Sequence, residues 1–287
     1  MMPLLSRRQI LLAAAAAATL PAATRAQPQG LPRLVTISGS ITEVVYALGA
    51  EAQLVGTDTT SLYPAAALKT PKVGYMRQLS AEGVLSLKPD AVIATSEAGP
   101  PVVMDQLRSA GVKVELTHAD HRWGEVQRKV QAVGKASSRP VEARVLQARL
   151  DAEWAAVQQR VAASGRARPR VLFILSHSAS PQVAGQNTAA HAFIGFAGGT
   201  NAIGGFEGYR PMTAEAMASA APDFILSTNQ SIEAHGGVEK FWSRPELLLT
   251  PAYRKRALVT MDALQLLGFG PRLPQSVADV HARLMAA

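Results

Sequence analysis

The sequence predicts an α/β protein of two similar lobes, each built on a parallel sheet, joined by a long helical strut and separated by a ligand cleft. Short β-rich runs alternate with helical patterns in both halves, a long helical segment separates the halves, and one motif occurs in each half. Strands that alternate with helices through short connections are typical of parallel sheets covered on both faces. A chain of 287 residues is long enough for two such lobes.

The first half of the chain predicts four strands and three helices. In order, these are a strand at 33–37, a helix at 41–48, a strand at 54–57, a helix at 81–87, a strand at 91–94, a helix at 102–110 and a strand at 112–116. The strands are rich in Val, Ile and Leu, whereas the helices carry apolar residues at intervals of three and four. Gly111 is a typical helix stop. We therefore assign residues 27–122 to an N-terminal α/β lobe.

A long helical segment follows the first lobe. Residues 123–163 carry Val, Leu and Trp at helical spacing among Arg, Gln, Glu and Ala, with an interruption only near Pro140. This pattern predicts one long helix, or two collinear helices, in a connecting segment at 123–165. The β/α alternation restarts with the β-rich run 170–175, so we assign 166–287 to a C-terminal α/β lobe. A single helical crossing predicts limited motion between the lobes.

The first 26 residues predict a cleaved export signal of the twin-arginine kind. Arg7 and Arg8 precede an apolar run from Ile10 to about Leu20, and small residues near Ala26 suit signal peptidase. The apolar run is shorter than the roughly 20 residues that span a bilayer. We expect cleavage near Ala26, a location in a Gram-negative periplasm and no membrane anchor.

Composition excludes several classes of function. The chain has no cysteine, which excludes disulfides, thiolate metal sites and a lipid-modified cysteine. Without the three leader arginines the chain has 26 basic and 21 acidic residues, a net charge of +5, and no dense basic run with interleaved aromatics. Nucleic acid is therefore not an expected partner. The sequence also lacks the common nucleophile, zinc-protease and P-loop motifs, so we expect a protein that is not an enzyme.

An internal repeat relates the two halves. Residues 74–95 align with residues 208–228, with one residue of slack after the tyrosine, and the coinciding types are Gly, Tyr, Arg, Ala, Glu, Ser, Pro, Asp and Thr. Each copy predicts a Gly-Tyr loop, an N-cap at Ser80 or Thr213, a short helix and a strand. If the lobes face each other, the tyrosines of both copies lie on one cleft, the usual place for a small ligand.

Four segments of the sequence resemble periplasmic substrate-binding proteins of ABC importers of the helix-strut class, which serve haem, cobalamin and ferric siderophores. The segments are residues 37–43, 73–83, 87–93 and 208–215. The haem-binding members are the most similar, mainly through the Gly-Tyr-x-Arg loop. The resemblance implies a monomer that captures ferric haem in the periplasm and delivers it to an inner-membrane ABC importer. The alternatives are a receptor for a ferric siderophore or cobalamin in the same class, and a haem carrier that acts without a transporter.

The resemblance implies that Tyr75 is the axial ligand of the haem iron. A phenol has an ordinary pKa of about 10, and ferric iron favours the phenolate form, which Arg77 is placed to stabilise. Arg77 and Arg210 are also candidates to pair with haem propionates, because a guanidinium matches a carboxylate in a bidentate way. Tyr209 is a candidate to flank the ligand. An ordinary surface position is the alternative for each of these residues.

Histidines supply further candidates. Some relatives place a histidine from the second lobe against the iron or a second haem, and His177, directly after the strand 170–175, is the best placed for this role. A structural or exposed histidine is the alternative. His191 is expected to pack in a helix. His118 and His121 flank Asp120 at a spacing compatible with a metal site, but no third ligand is evident.

Glu82 and Glu215 occupy the first turn of the repeated helix in the two lobes. An acid at this position stabilises a helix by opposing its dipole. The resemblance implies a second role, in which one glutamate on each lobe docks an arginine of a permease dimer. Two equivalent carboxylates would match a two-fold transporter, and both roles are compatible.

Overall fold

A computed structural model describes residues 30–165, 167–176 and 181–286. The leader predicted at 1–26 lies outside the described residues. The N-terminal half contains β1 Leu34–Ile37, α1 Gly39–Ala47, β2 Leu54–Thr57, α2 Ala81–Leu85, β3 Ala91–Thr95, α3 Pro101–Ser109 and β4 Lys113–Thr117. Two helices follow, α4 Trp123–Ala136 and α5 Pro140–Ala163. The C-terminal half contains β5 Arg170–Leu175, β6 Gln182–Ala184, α6 Ala189–Phe196, β7 Thr200–Asn201, β8 Tyr209–Pro211, α7 Ala214–Ala220, β9 Phe224–Thr228, α8 Asn229–Ala234, α9 Val238–Trp242, α10 Pro251–Lys255, β10 Leu258–Met261, α11 Ala263–Leu267 and α12 Leu273–Met285.

The N-terminal sheet has the strand order β2-β1-β3-β4, and all of its neighbours are parallel. Both of its faces are covered. In β1, Leu34 packs into one cluster of buried side chains and Val35 into another on the opposite face. This burial on both sides explains why the strands read as continuous apolar runs. The parallel sheet predicted for this half is confirmed.

The C-terminal sheet is mixed. Its order is β10-β9-β5-β6-β8, with β7 also paired to β5. Strands β10, β9, β5 and β7 are parallel, whereas β6 is antiparallel to both β5 and β8. The prediction of a parallel sheet therefore holds for only part of this half. The connection from β5 to β6 is too short for a parallel crossover, which needs roughly a dozen residues or more, so the chain returns antiparallel.

Helices α4 and α5 pack side by side in opposite directions. The indole nitrogen of Trp123 and the amide nitrogen of Gln127 donate to Asp151, at 2.7 and 2.8 Å, and the rings of Trp123 and Trp154 stack at 4.8 Å. The interpretation of this segment as one helix or two collinear helices was wrong. The chain reverses at Ser138, whose φ is +58°, and Pro140 begins the second helix, a position that proline favours.

Helix α5 is the strut that joins the two lobes. Next to its beginning, Gln53 of the N-terminal half donates to the carbonyl oxygen of Ser137 at 3.1 Å. Near its end, Gln158 donates to the carbonyl oxygen of Phe196 in the C-terminal half at 3.3 Å. The helical strut between two α/β lobes is thus confirmed, while the lobe boundaries at residues 122 and 165 stay a prediction.

Among the residues that the structure describes, the buried apolar side chains form three clusters. One cluster runs from the N-terminal sheet through α4 and α5 to the C-terminal sheet and α12. The other two lie on the outer faces of the two sheets. Because the first cluster is continuous, the two sheets share one apolar core. In the described part of the chain, no helix combines the length and the apolar character needed to cross a membrane.

Candidate functional site

The two Gly-Tyr loops turn for the same local reason, which is a glycine with positive φ. Gly74 and Gly208 adopt φ values of +106° and +74°, in the left-handed region that glycine alone enters without strain. Each loop then leads into a short helix with a side-chain cap. Ser80 accepts a hydrogen bond from the amide of Gly83 at 3.4 Å, and Thr213 accepts one from Ala216 at 3.2 Å. Both predicted N-caps are confirmed.

A cavity of about 830 Å³ lies between the lobes, with walls from both of them. Tyr75 and Arg77 line it from the N-terminal half, and Tyr209 lines it from the C-terminal half. Tyr75 and Tyr209 are 40% and 37% exposed as whole residues, so each has surface available to a ligand. The copied loops therefore meet at one cleft, and the predicted position of the cleft between the lobes is confirmed.

Arg77 connects two groups on the wall of the cavity. Its Nη1 donates to the hydroxyl oxygen of Tyr75 at 3.1 Å, and its Nη2 donates to Oε2 of Glu97, also at 3.1 Å. Burial by itself lowers the pKa of Arg77, but the hydrogen bond to Tyr75 and the charge of Glu97 outweigh it and raise the pKa. The guanidinium therefore stays charged beside the hydroxyl oxygen of Tyr75.

Tyr209 has a different electrostatic environment. Burial first, and then the negative charge of Glu97, raise the pKa of Tyr209 to about 12, against the opposing charge of Arg77. At neutral pH its hydroxyl is therefore protonated and able to donate a hydrogen bond. The two tyrosines of the repeat thus face one cavity in chemically different surroundings.

A buried ion pair forms part of the cavity wall. Lys129 donates to Oε1 of Glu125 at 2.6 Å and to the carbonyl oxygens of Gly268 and Phe269 at 2.9 and 3.1 Å. Burial lowers the pKa of Lys129, and the carboxylate of Glu125 opposes that effect. Because Lys129 lies in α4 of the connecting segment and its carbonyl partners lie in the C-terminal half, this contact ties that segment to the C-terminal half at the cavity.

The second oxygen of Glu125 positions a histidine. Oε2 of Glu125 accepts hydrogen bonds from the backbone amides of Asp120 and His121 at 3.0 and 2.9 Å. The ring of His121 lines the cavity and lies 5.5 Å from the ring of Phe269. His121 is therefore a residue of the cleft. Within the described ranges, no group of three or more His, Asp or Glu side chains is arranged to hold a metal ion.

The remaining predicted residues lie elsewhere. Arg210 follows Tyr209 in β8, but its guanidinium stacks over the ring of Phe206 at 4.6 Å, and it is not among the described residues that line the cavity. His177 lies outside the described residues. His191 belongs to α6, where its Nδ1 is 3.3 Å from the amide nitrogen of Asn201. Glu82 and Glu215 are exposed on the first turns of α2 and α7.

Sequence reasoning missed Glu97 and Lys129. Glu97 follows the end of strand β3, and the strand-end rule that selected His177 applies to it equally. Lys129 shares the buried stripe of α4 with Val126 and Val130, and Glu125 lies four residues before it. A lysine on an apolar stripe with a glutamate at i−4 is a recognisable sign of a buried ion pair.

The comparisons with known proteins agree with this architecture. Residues 34–264 match the family described as periplasmic binding protein. The chain belongs to that family. The solved structure of the periplasmic heme-binding protein BhuT in complex with two hemes is 45% identical, with a TM-score of 0.85 over 90% of this chain and 99% of that chain.

Two curated relatives extend the comparison. The uncharacterized ABC transporter substrate-binding lipoprotein YvrC of Bacillus subtilis (strain 168) is 26% identical over 86% of this chain and 78% of its own length. The vitamin B12-binding protein of Vibrio vulnificus (strain CMCP6) is 25% identical over 83% of this chain and 84% of its own length. The family and its substrate-binding architecture agree with the resemblance found in the sequence.

Proposed function

We propose that this protein captures ferric haem in the periplasm and delivers it to an ABC-type importer of the inner membrane, without catalysing a reaction. The observation that carries this proposal is the cavity of about 830 Å³ in which the Tyr75 hydroxyl accepts a hydrogen bond from Arg77. Its volume lies in the range of about 300–1,000 Å³ typical of small-molecule sites. The similarity to BhuT, whose structure contains two hemes, supports haem as the ligand.

The cavity offers the groups that a ferric macrocycle requires. The oxygen of Tyr75 is a hard ligand that suits ferric iron, and the charged guanidinium of Arg77 lies within hydrogen-bond distance of it. Leu62 and Leu264 give the cavity apolar wall on both lobes, against which a flat ring can pack. Tyr209 presents a protonated hydroxyl from the opposite lobe. These residues together support iron ligation from one lobe and contact from the other.

The decisive experiment is a titration of the exported protein with hemin, followed by its visible spectrum. We expect wild type to shift the Soret band and to show the charge-transfer absorption of a phenolate-ligated ferric haem. Tyr75→Phe should lose that absorption. Tyr253→Phe, the same chemical change in α10 outside the cavity lining, is the matched control and should behave as wild type. A wild-type spectrum identical to free hemin would eliminate the proposal.

The vitamin B12-binding relative keeps cobalamin as the alternative ligand, together with a ferric siderophore. The phenol beside a guanidinium favours haem, because cobalamin brings its own cobalt ligands and needs no anionic oxygen from the protein. Competition decides between the ligands. Cobalamin or a ferric siderophore in excess should leave bound hemin in place, and displacement at equal concentrations would favour the alternative.

His177 and Arg210 keep the roles predicted from the sequence, as a second iron ligand and a propionate partner. His177→Ala is expected to change the ferric spectrum, with His191→Ala as the control because His191 lies in α6 beside Asn201. An unchanged spectrum would remove His177 from the coordination sphere.

Arg210→Ala should weaken hemin binding without changing the spectrum, because it removes a charge partner and not an iron ligand. If Arg210→Ala binds hemin with the affinity of wild type, Arg210 is not a propionate partner.

We also propose that Glu82 and Glu215 dock the permease dimer. Both are exposed at the first turn of equivalent helices, one in each lobe. The variant with both residues changed to Arg should bind hemin normally and fail to support haem uptake by cells. Glu51→Arg, an exposed acid in another short helix, is the control. Normal uptake by the double variant would contradict docking.

N-terminal sequencing of the periplasmic protein tests cleavage after Ala26, and its sedimentation tests the expected monomer.

A further inference from the structure

The guanidinium of Arg77 is held at both ends. Nη1 donates to Tyr75 and Nη2 donates to Glu97, each at 3.1 Å. The guanidinium is planar and its donors are fixed in a fork, so two anchored nitrogens determine its orientation. Tyr75 and Arg77 belong to the loop before α2, whereas Glu97 belongs to the loop after β3. Glu97 is thus an independent support for the Tyr75–Arg77 contact.

Glu97 also determines which partner Arg77 can take. The contacts with Tyr75 and Glu97 engage one N–H group on each of the two terminal nitrogens, out of five donors. Because Glu97 is a carboxylate already paired with Arg77, it offsets the positive charge that a carboxylate of the ligand would meet there. The carboxylate of Glu97 itself lines the cavity and repels an anionic group of the ligand at this point.

We infer that Glu97 is a positioning residue that commits Arg77 to the hydroxyl oxygen of Tyr75 and away from the carboxylates of the ligand. The inference rests on the proposed function, because it assigns Glu97 a role in holding the iron-binding phenol. It also sets the orientation of the ligand, since the carboxylates of a haem would point away from the wall formed by Glu97. The side chain of Glu97 is 43% exposed. This partial exposure is compatible with the role, because Glu97 only has to orient the guanidinium of Arg77.

The raised pKa of Tyr209 is consistent with a position of Glu97 near both tyrosines. The negative charge of Glu97 contributes to that shift, which shows that the carboxylate is within electrostatic reach of the opposite lobe. One carboxylate therefore acts on both tyrosines. It supports the guanidinium beside Tyr75 and contributes, after burial, to the raised pKa of Tyr209.

The test measures release of hemin to excess apomyoglobin, together with the iron–phenolate band in resonance Raman spectra. Glu97→Ala should release hemin roughly threefold faster, because an ion pair between exposed side chains contributes little. It should also shift the iron–phenolate frequency. Glu97→Gln keeps an acceptor oxygen, so its rate of hemin release should lie between the rates of wild type and Glu97→Ala. Glu153→Ala is the matched control, because Glu153 is 42% exposed and pairs with Arg149 at 2.8 Å in α5.

A double-mutant cycle separates an action through Arg77 from a general effect of charge. In an Arg77→Ala background, Glu97→Ala should have almost no further effect on release. The same fold-change in that background would overturn the inference, as would a Glu97→Ala variant that matches the Glu153→Ala control. Both results leave the proposed function standing. A wild-type protein that fails to bind hemin would instead overturn the proposed function.

Discussion

Replacement of Lys129 by methionine tests the buried ion pair at the cleft. Methionine has similar length and packs well in irregular apolar surroundings, so the change removes the charge and leaves most of the volume. The side chain of Lys129 is 1% exposed and that of Glu125 is 4% exposed. The variant therefore leaves a buried carboxylate without its counterion, and the carbonyls of Gly268 and Phe269 without the ammonium donor.

The expected loss of unfolding free energy is about 3 kcal/mol. Removal of one partner from a buried ion pair typically costs about 3–5 kcal/mol. The lower end applies because Glu125 keeps its hydrogen bonds from the amides of Asp120 and His121. For a chain of this size each kcal/mol shifts the melting temperature by about 2–4 °C, so a decrease of about 6–12 °C is expected.

Thermal and urea unfolding, followed by circular dichroism at neutral pH, measure the effect. Lys135→Met is the matched control on the same helix, because Lys135 is 79% exposed and its contact with Glu115 is 3.5 Å long. The control should stay within about 0.5 kcal/mol of wild type. The double change Lys129→Met with Glu125→Gln should recover part of the loss, since no buried charge remains. Equal stability of Lys129→Met and Lys135→Met would refute the reasoning.

Three further predictions follow from the contacts. The ultraviolet titration of wild type minus Tyr209→Phe should show a phenol that ionises near pH 12, as burial and the charge of Glu97 raise its pKa to about 12; a midpoint near the ordinary value of about 10 would contradict it. Arg272→Ala leaves the buried carboxylate of Glu43 without its partner at 2.6 Å and should lower the unfolding free energy by about 3 kcal/mol, so a loss below about 1 kcal/mol would indicate a hydrated carboxylate. Thr213→Ala removes the cap of α7 and should cost about 1 kcal/mol in urea unfolding; a change no larger than that of an exposed substitution would show that the cap is replaced by water.

Much of the local structure was predictable because it depends on local spacing. The β-rich runs became β1 to β5, and the repeated Gly-Tyr loops and their capped helices formed as expected. The repeat also predicted that Tyr75 and Tyr209 face one cleft. A copied loop keeps its place on a copied lobe, so this prediction needed no knowledge of individual contacts.

The contacts within the site were less predictable. Arg77 and Glu97 are 20 residues apart, and their pairing depends on how the loop before α2 meets the end of β3. Lys129 and Gly268 are 139 residues apart, one in the connecting segment and the other in the C-terminal half. His121 was considered as a metal ligand with its sequence neighbours, whereas the structure places it on the wall of the cleft. Residues so far apart in the sequence share no periodic pattern from which their contact could be predicted.

The amino-acid sequence by itself determined the class of fold, the two copies of one structural unit and the tyrosine that each copy presents. These properties depend on periodicity, turn residues and caps, which act over a few positions. Only the tertiary structure decided that α4 folds back on α5, that β6 of the second sheet runs antiparallel to its neighbours, and that Glu97 and Lys129 belong to the cleft. Those outcomes depend on which surfaces meet when the lobes pack, and the free energy of that packing comes from pairs of residues far apart in the chain.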